Sequence, residues 1–62
     1  MKEYQFQCHN EDGSVQTSCI MHAASDEDAS EIAKRLLHET ECHAVEVRHK
    51  TMLIHRAVRS NR

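Results

Sequence analysis

Proline and tryptophan are absent from this 62-residue chain, glycine occurs once, at Gly13, and Tyr4 and Phe6 are its two aromatic residues. Without proline or runs of glycine and serine there is no linker or low-complexity segment, and the chain reads as one unit. Long apolar runs are missing too, since none approaches the roughly 20 residues that span a bilayer. Cys8, Cys19 and Cys42 do not make an even count, and no charged stretch followed by an apolar run opens the sequence. Both features point to reduced thiols in a cytoplasmic protein. Catalytic signatures are likewise lacking: there is no glycine-rich phosphate loop and no G-x-S-x-G, and no carboxylates converge in an apolar setting. The expectation is a protein that is not an enzyme. A chain this short buries only about 60% of its unfolded surface, so its core must be thin.

Acidic residues are missing from one region only. Residues 1–47 carry ten acids against Lys2, Lys34 and Arg35, whereas residues 48–62 carry Arg48, Lys50, Arg56, Arg59 and Arg62 with no acid, so the net charge of −2 divides as −7 and +5. A basic stretch of this kind either solubilises the chain and complements its acids or contacts phosphates.

Periodicity supplies the architecture. "EYQFQCH" places Tyr4, Phe6 and Cys8 on one face of a strand and Glu3, Gln5, Gln7 and His9 on the other. A turn at Asp12-Gly13 leads to a second strand, "SVQTSCIMH", whose Val15, Thr17, Cys19 and Met21 should join the Tyr4 face. "SDEDASEIAKRLLHET" is a helix with Ser25 as N-cap and Asp26, Glu27 and Asp28 in its favoured first turn. Ala29, Ile32, Ala33, Leu36 and Leu37 form its single apolar stripe, and Glu31 and Arg35 have the spacing of an exposed ion pair. "HAVEVRH" and "TMLIHRAV" form a second hairpin turning near His49-Lys50, with Val47 expected opposite Met52 and Val45 opposite Ile54. The prediction is an α+β domain of ββαββ order over residues 1–58. Its four-stranded, mainly antiparallel sheet carries the helix on one face, and a basic tail follows at residues 59–62.

With its early "DG" hairpin, "SDEDASEIAKRLL", "HAVEV" and "LIHR", the chain resembles a group of short, stand-alone bacterial proteins of unassigned function that share this ββαββ pattern. Their comparable ending has an aromatic residue where Arg48 stands and a glycine where Lys50 stands. The resemblance implies the element order and a bacterial source, and it assigns no functional residue.

Three sets of residues are candidates for function. Strand direction brings His9, His38, Cys42 and His43 to one end of the domain, a mixture of imidazole and thiolate that tetrahedral zinc accepts. The spacing in "HETECH" is not that of a known zinc motif, and Cys42 and His43 should diverge if both lie in a strand. Cys8 and Cys19 are expected in the core, leaving Cys42 as the accessible thiol. Arg48, Lys50, Arg56, Arg59 and Arg62 form the nucleic-acid candidate, although sheet-based RNA readers stack bases on exposed aromatics and both aromatics here point to the helix. The third set is the bare sheet face, where Ile20, Leu53 and Ala57 stand among polar side chains as a surface for a protein partner or a second copy. A protein-interaction or regulatory module accounts for the sequence best.

Overall fold

Alternation along the first segment places the two aromatic side chains in the middle of the molecule. The computed structural model describes residues 1–59. Its elements are β1 (Lys2–His9), β2 (Val15–Ala23), α1 (Asp26–Glu39), β3 (Ala44–His49) and β4 (Met52–Val58). The strands form one antiparallel sheet in the order β2-β1-β3-β4. With α1 on one face, this is the ββαββ, α+β arrangement expected. β1 is an inner strand, so Tyr4 and Phe6 sit beneath the helix with Val45 and Val47 of the neighbouring β3, all four at 1% exposure or less. Ala29 and Ala33, both fully buried, are the helix residues closest to that layer. Their small side chains let α1 settle low on the sheet, while Ile32, Leu36 and Leu37 flank the contact half-buried.

Both ends of the helix are tied to the sheet. At its start the Ser25 hydroxyl accepts from the Asp28 N–H at 3.2 Å, and the Asp28 carboxylate accepts from the Ala24 N–H at 3.3 Å, a reciprocal cap. The Tyr4 hydroxyl donates to Asp26 Oδ1 at 2.5 Å, linking the first turn to β1. At the other end Thr40 caps α1, its N–H and hydroxyl both donating to the Leu36 carbonyl. The Arg59 guanidinium completes the closure. It donates to the carbonyls of Leu37 and Thr40 (2.5 Å), oxygens that the end of a helix leaves without partners, and to that of Cys42 (3.1 Å) in the chain beyond, and its positive charge complements the negative end of the helix dipole. The Arg59 N–H also donates to the His43 carbonyl. Arg59, expected in the basic tail, is thereby tied to the folded unit. On the exposed helix surface Glu31 contacts Lys34 at 3.6 Å, rather than the expected Arg35.

Each hairpin contains an irregularity that periodicity alone does not disclose. Pairing of β1 with β2 shifts between Cys8 and His9, so Val15 lies opposite His9 instead of joining the Tyr4 face. In the second hairpin the turn is Lys50-Thr51, and Lys50 takes the positive φ of 61° that glycine adopts without cost. Pairing then shifts between Val47 and Arg48, placing His55 opposite Val47 and Ala57 opposite Val45 in place of the expected Met52 and Ile54. Without this bulge the register set by the turn would bring Arg56 opposite Val45, over the core. The extra residue keeps the guanidinium on the open face and tucks Ala57, 8% exposed, under the helix.

Removing the Arg59 side chain leaves the carbonyls of Leu37, Thr40 and Cys42 without this donor. Arg59→Ala is expected to lower unfolding free energy by about 2 kcal/mol, the scale of charge-assisted hydrogen bonds, measured by urea denaturation. The Tyr4 hydroxyl, held as a donor to Asp26, has its pKa pushed up to about 12 from 10.0, and burial followed by the adjacent Cys42 thiol pushes Cys8 up to about 11 from 9.0. Both folded-state values lie above the unfolded ones. Their contributions are therefore complete below pH 9 and lost as pH rises through 9 to 12, and Tyr4→Phe should flatten the part between 10 and 12 in a pH series of urea melts.

Candidate interaction surface

The face of the sheet away from α1 is built in transverse rows. One row runs Ile20–Gln5–Arg48–Leu53 and the next Ser18–Gln7–Glu46–Arg56, each residue opposite its neighbour in the ladder. A third row places His9 beside Ala44 and Val58. Apolar side chains thus stand at the margins, with Ile20 on β2 and Leu53 and Val58 on β4 all exposed. The centre is ionic. Glu46 Oε1 accepts from Arg48 at 3.1 Å, Glu46 Oε2 lies 3.2 Å from Arg56 Nε, and His9 Nε2 lies 3.5 Å from Glu46 Oε1 without forming a hydrogen bond. One carboxylate is shared by two permanent cations and an imidazole. With Glu3 and Glu46 against Arg48 and Arg56, the strand charges of this face balance, and separated apolar residues border it, so it lacks a continuous apolar patch.

The sequence candidates divide accordingly. Ile20 and Leu53 lie on this open face, in one row but on opposite edge strands. Ala57 does not belong with them: the β4 bulge turns it toward Val45 and buries it. Of the basic set, Arg48 and Arg56 hold Glu46, and Arg59 is committed to the carbonyls at the end of α1. Lys50 stands exposed in the β3–β4 turn, and Arg62 lies outside the described residues. The bases therefore do not make one phosphate-tracking stripe.

The zinc candidates are also separated. His9 turns to the open face toward Glu46, whereas Cys42 is 1% exposed on the helix side, its sulfur 2.8 Å from the Thr40 hydroxyl and beside Cys8. His38 is exposed on α1, and the His43 backbone continues the ladder through its N–H to the His9 carbonyl. The sheet stands between His9 and Cys42. Among the described residues no three His, Cys, Asp or Glu side chains are grouped to hold a metal ion, so these residues do not fit the tetrahedral site.

Strand β2 carries the feature that the sequence reading placed least well. One helix lies over the β1, β3 and β4 part of the sheet, and β2 is left as an uncovered edge: Val15 through Ile20 are exposed on both faces, and burial returns only at Met21 and Ala23. Cys19 is consequently exposed and Cys42 buried, the reverse of the expectation. "VQTSCIMHA" contains no Lys, Arg, Asp, Glu, Pro or Gly. Edge strands are ordinarily guarded by charge, proline, a bulge or a covering element. The β4 edge has such guards in Arg56, its bulge and the helix, whereas β2 has only the irregularity at its start. The uncharged composition was visible in the sequence, but which strands would be edges was not.

No family model matches this chain, and neither a curated protein nor a solved structure shows significant similarity to it. Among the described residues, no helix is long and apolar enough to cross a membrane.

Cysteine accessibility checks this arrangement directly. At neutral pH the native protein should take up one equivalent of a maleimide, mapped to Cys19, with Cys8 and Cys42 labelling only in denaturant. Early modification of Cys42 would contradict the burial described for it.

Proposed function

We propose that this protein is a small, non-enzymatic bacterial protein of the cytoplasm that acts as a protein-interaction or regulatory module, with β2 as its docking element. One observation carries the reading: a nine-residue edge strand, exposed on both faces from Val15 through Ile20, without a formal charge apart from the titratable His22 and without proline. An open edge presents a row of backbone N–H and C=O groups that a partner strand can satisfy, and alternate side chains then select the partner. The mixed open face, with exposed Ile20 and Leu53, extends the same surface around the sheet. Nucleic-acid binding has less support, because three of the five candidate bases are engaged with Glu46 or the end of the helix.

A test is affinity capture from extract of the native cell with the intact protein and with Cys19→Lys, which places a charge in the middle of β2. Polypeptides retained by the first and released by the second support docking through β2. Equal retention by both would remove β2 from the function, and salt-sensitive retention of nucleic acid alone would replace this reading with the phosphate-binding one.

A further inference from the structure

We infer that the occupant of the β2 edge is a second copy of this chain, its β2 paired antiparallel to the first across a two-fold axis to give a continuous eight-stranded sheet. The inference rests on the docking reading above and names its partner.

Charge selects the edge over the face. A face-to-face pair would take Glu3, Glu46, Arg48 and Arg56 of both copies out of water, a desolvation cost that the scattered apolar residues at the margins do not offset. Along β2 there is no Lys, Arg, Asp or Glu from Val15 to Ala23, so two copies meet there without like-charge repulsion at neutral pH. The β4 edge is a poor alternative, being bulged and carrying Arg56.

Symmetry then fixes the register. A two-fold axis perpendicular to the sheet keeps both helices on the same side, so residues facing each other across the seam must share a face, and the axis must pass midway between one residue and its own copy. The strand is irregular at Val15, and pairing over the remaining stretch from Gln16 to His22 puts that residue at its midpoint, Cys19. Thr17 then faces Met21 of the second copy, Ser18 faces Ile20, and Gln16 faces His22. On the helix side the seam sets Thr17, Cys19 and half-buried Met21 of one copy beside those of the other, in the gap between the two helices. The two Cys19 residues stand directly opposite each other. Opposed residues of an antiparallel pair have Cα atoms about 4.5–5.5 Å apart, within the range a disulfide bridges.

The experiment uses the whole chain. Light scattering after size exclusion, over a dilution series, should give twice the 7.2 kDa chain mass at high concentration. Treatment with diamide, which takes up two electrons and two protons as two Cys19 thiols join, should give a covalent dimer that Cys19→Ser does not form. Cys19→Lys, which opposes two ammonium groups on the axis, should be monomeric with an unchanged circular dichroism spectrum. A monomer at every concentration, or a dimer undiminished in Cys19→Lys, would overturn self-pairing. A monomer that nevertheless captures another polypeptide through β2 overturns the second copy while leaving the docking reading in place.

Discussion

A single α-helix with its side chains is about 10 Å wide, and four strands spaced about 4.8 Å apart are wider than it can roof. This mismatch governs the molecule. The helix settles over the part of the sheet that holds Tyr4, Phe6, Val45 and Val47, and the remaining strand, β2, is left bare. Which cysteine is buried, which edge is open and where a partner strand can lie all follow from that choice. The helix is also fixed at both ends by side chains from the sheet and its continuation, Tyr4 at the first turn and Arg59 at the last. With so few large apolar residues, these polar anchors set the position of α1 as much as the core does.

The open face and the open edge have different characters. On the face, Glu46 pairs with Arg48 and Arg56 and lies close to His9, so the charges there answer one another. On the edge, the unsatisfied groups are backbone groups, which any strand of suitable register can meet. A partially exposed ion cluster contributes little stability, but it keeps that surface wetted and leaves the β2 edge as the surface without formal charge.

Much of the architecture was legible in the sequence because it depends on local periodicity. The alternation of Tyr4, Phe6 and Cys8, the Ser25 cap and the Ala29–Ala33 stripe each report which way side chains point, and the element order came out as read. What escaped was nonlocal. Cys19 lies on the helix-facing side of its strand, yet it is exposed, because no local pattern states which strands lie under the helix. Ala57 was assigned to the wrong face because a bulge adds one residue without any glycine to mark it. Arg59 resembled a solvated tail charge until Leu37, Thr40 and Cys42 were brought within its reach by the chain reversal after α1. The same reversal separates His9 from Cys42, two residues that strand direction alone had placed together.

The position of β1 has a consequence for how the chain reaches this state. Its hairpin with β2 joins near neighbours in sequence, but its pairing with β3 joins residues 35 to 43 positions apart, from His9 with Ala44 to Gln5 with Arg48. Contacts of such separation close slowly, because chain entropy must be given up before they contribute. The strand that carries the core aromatics therefore spends the folding reaction with one flank unpaired, waiting for α1 and β3 to dock. During that interval β1 and β2 each have an unpaired flank, and the finished fold closes the first and leaves the second open.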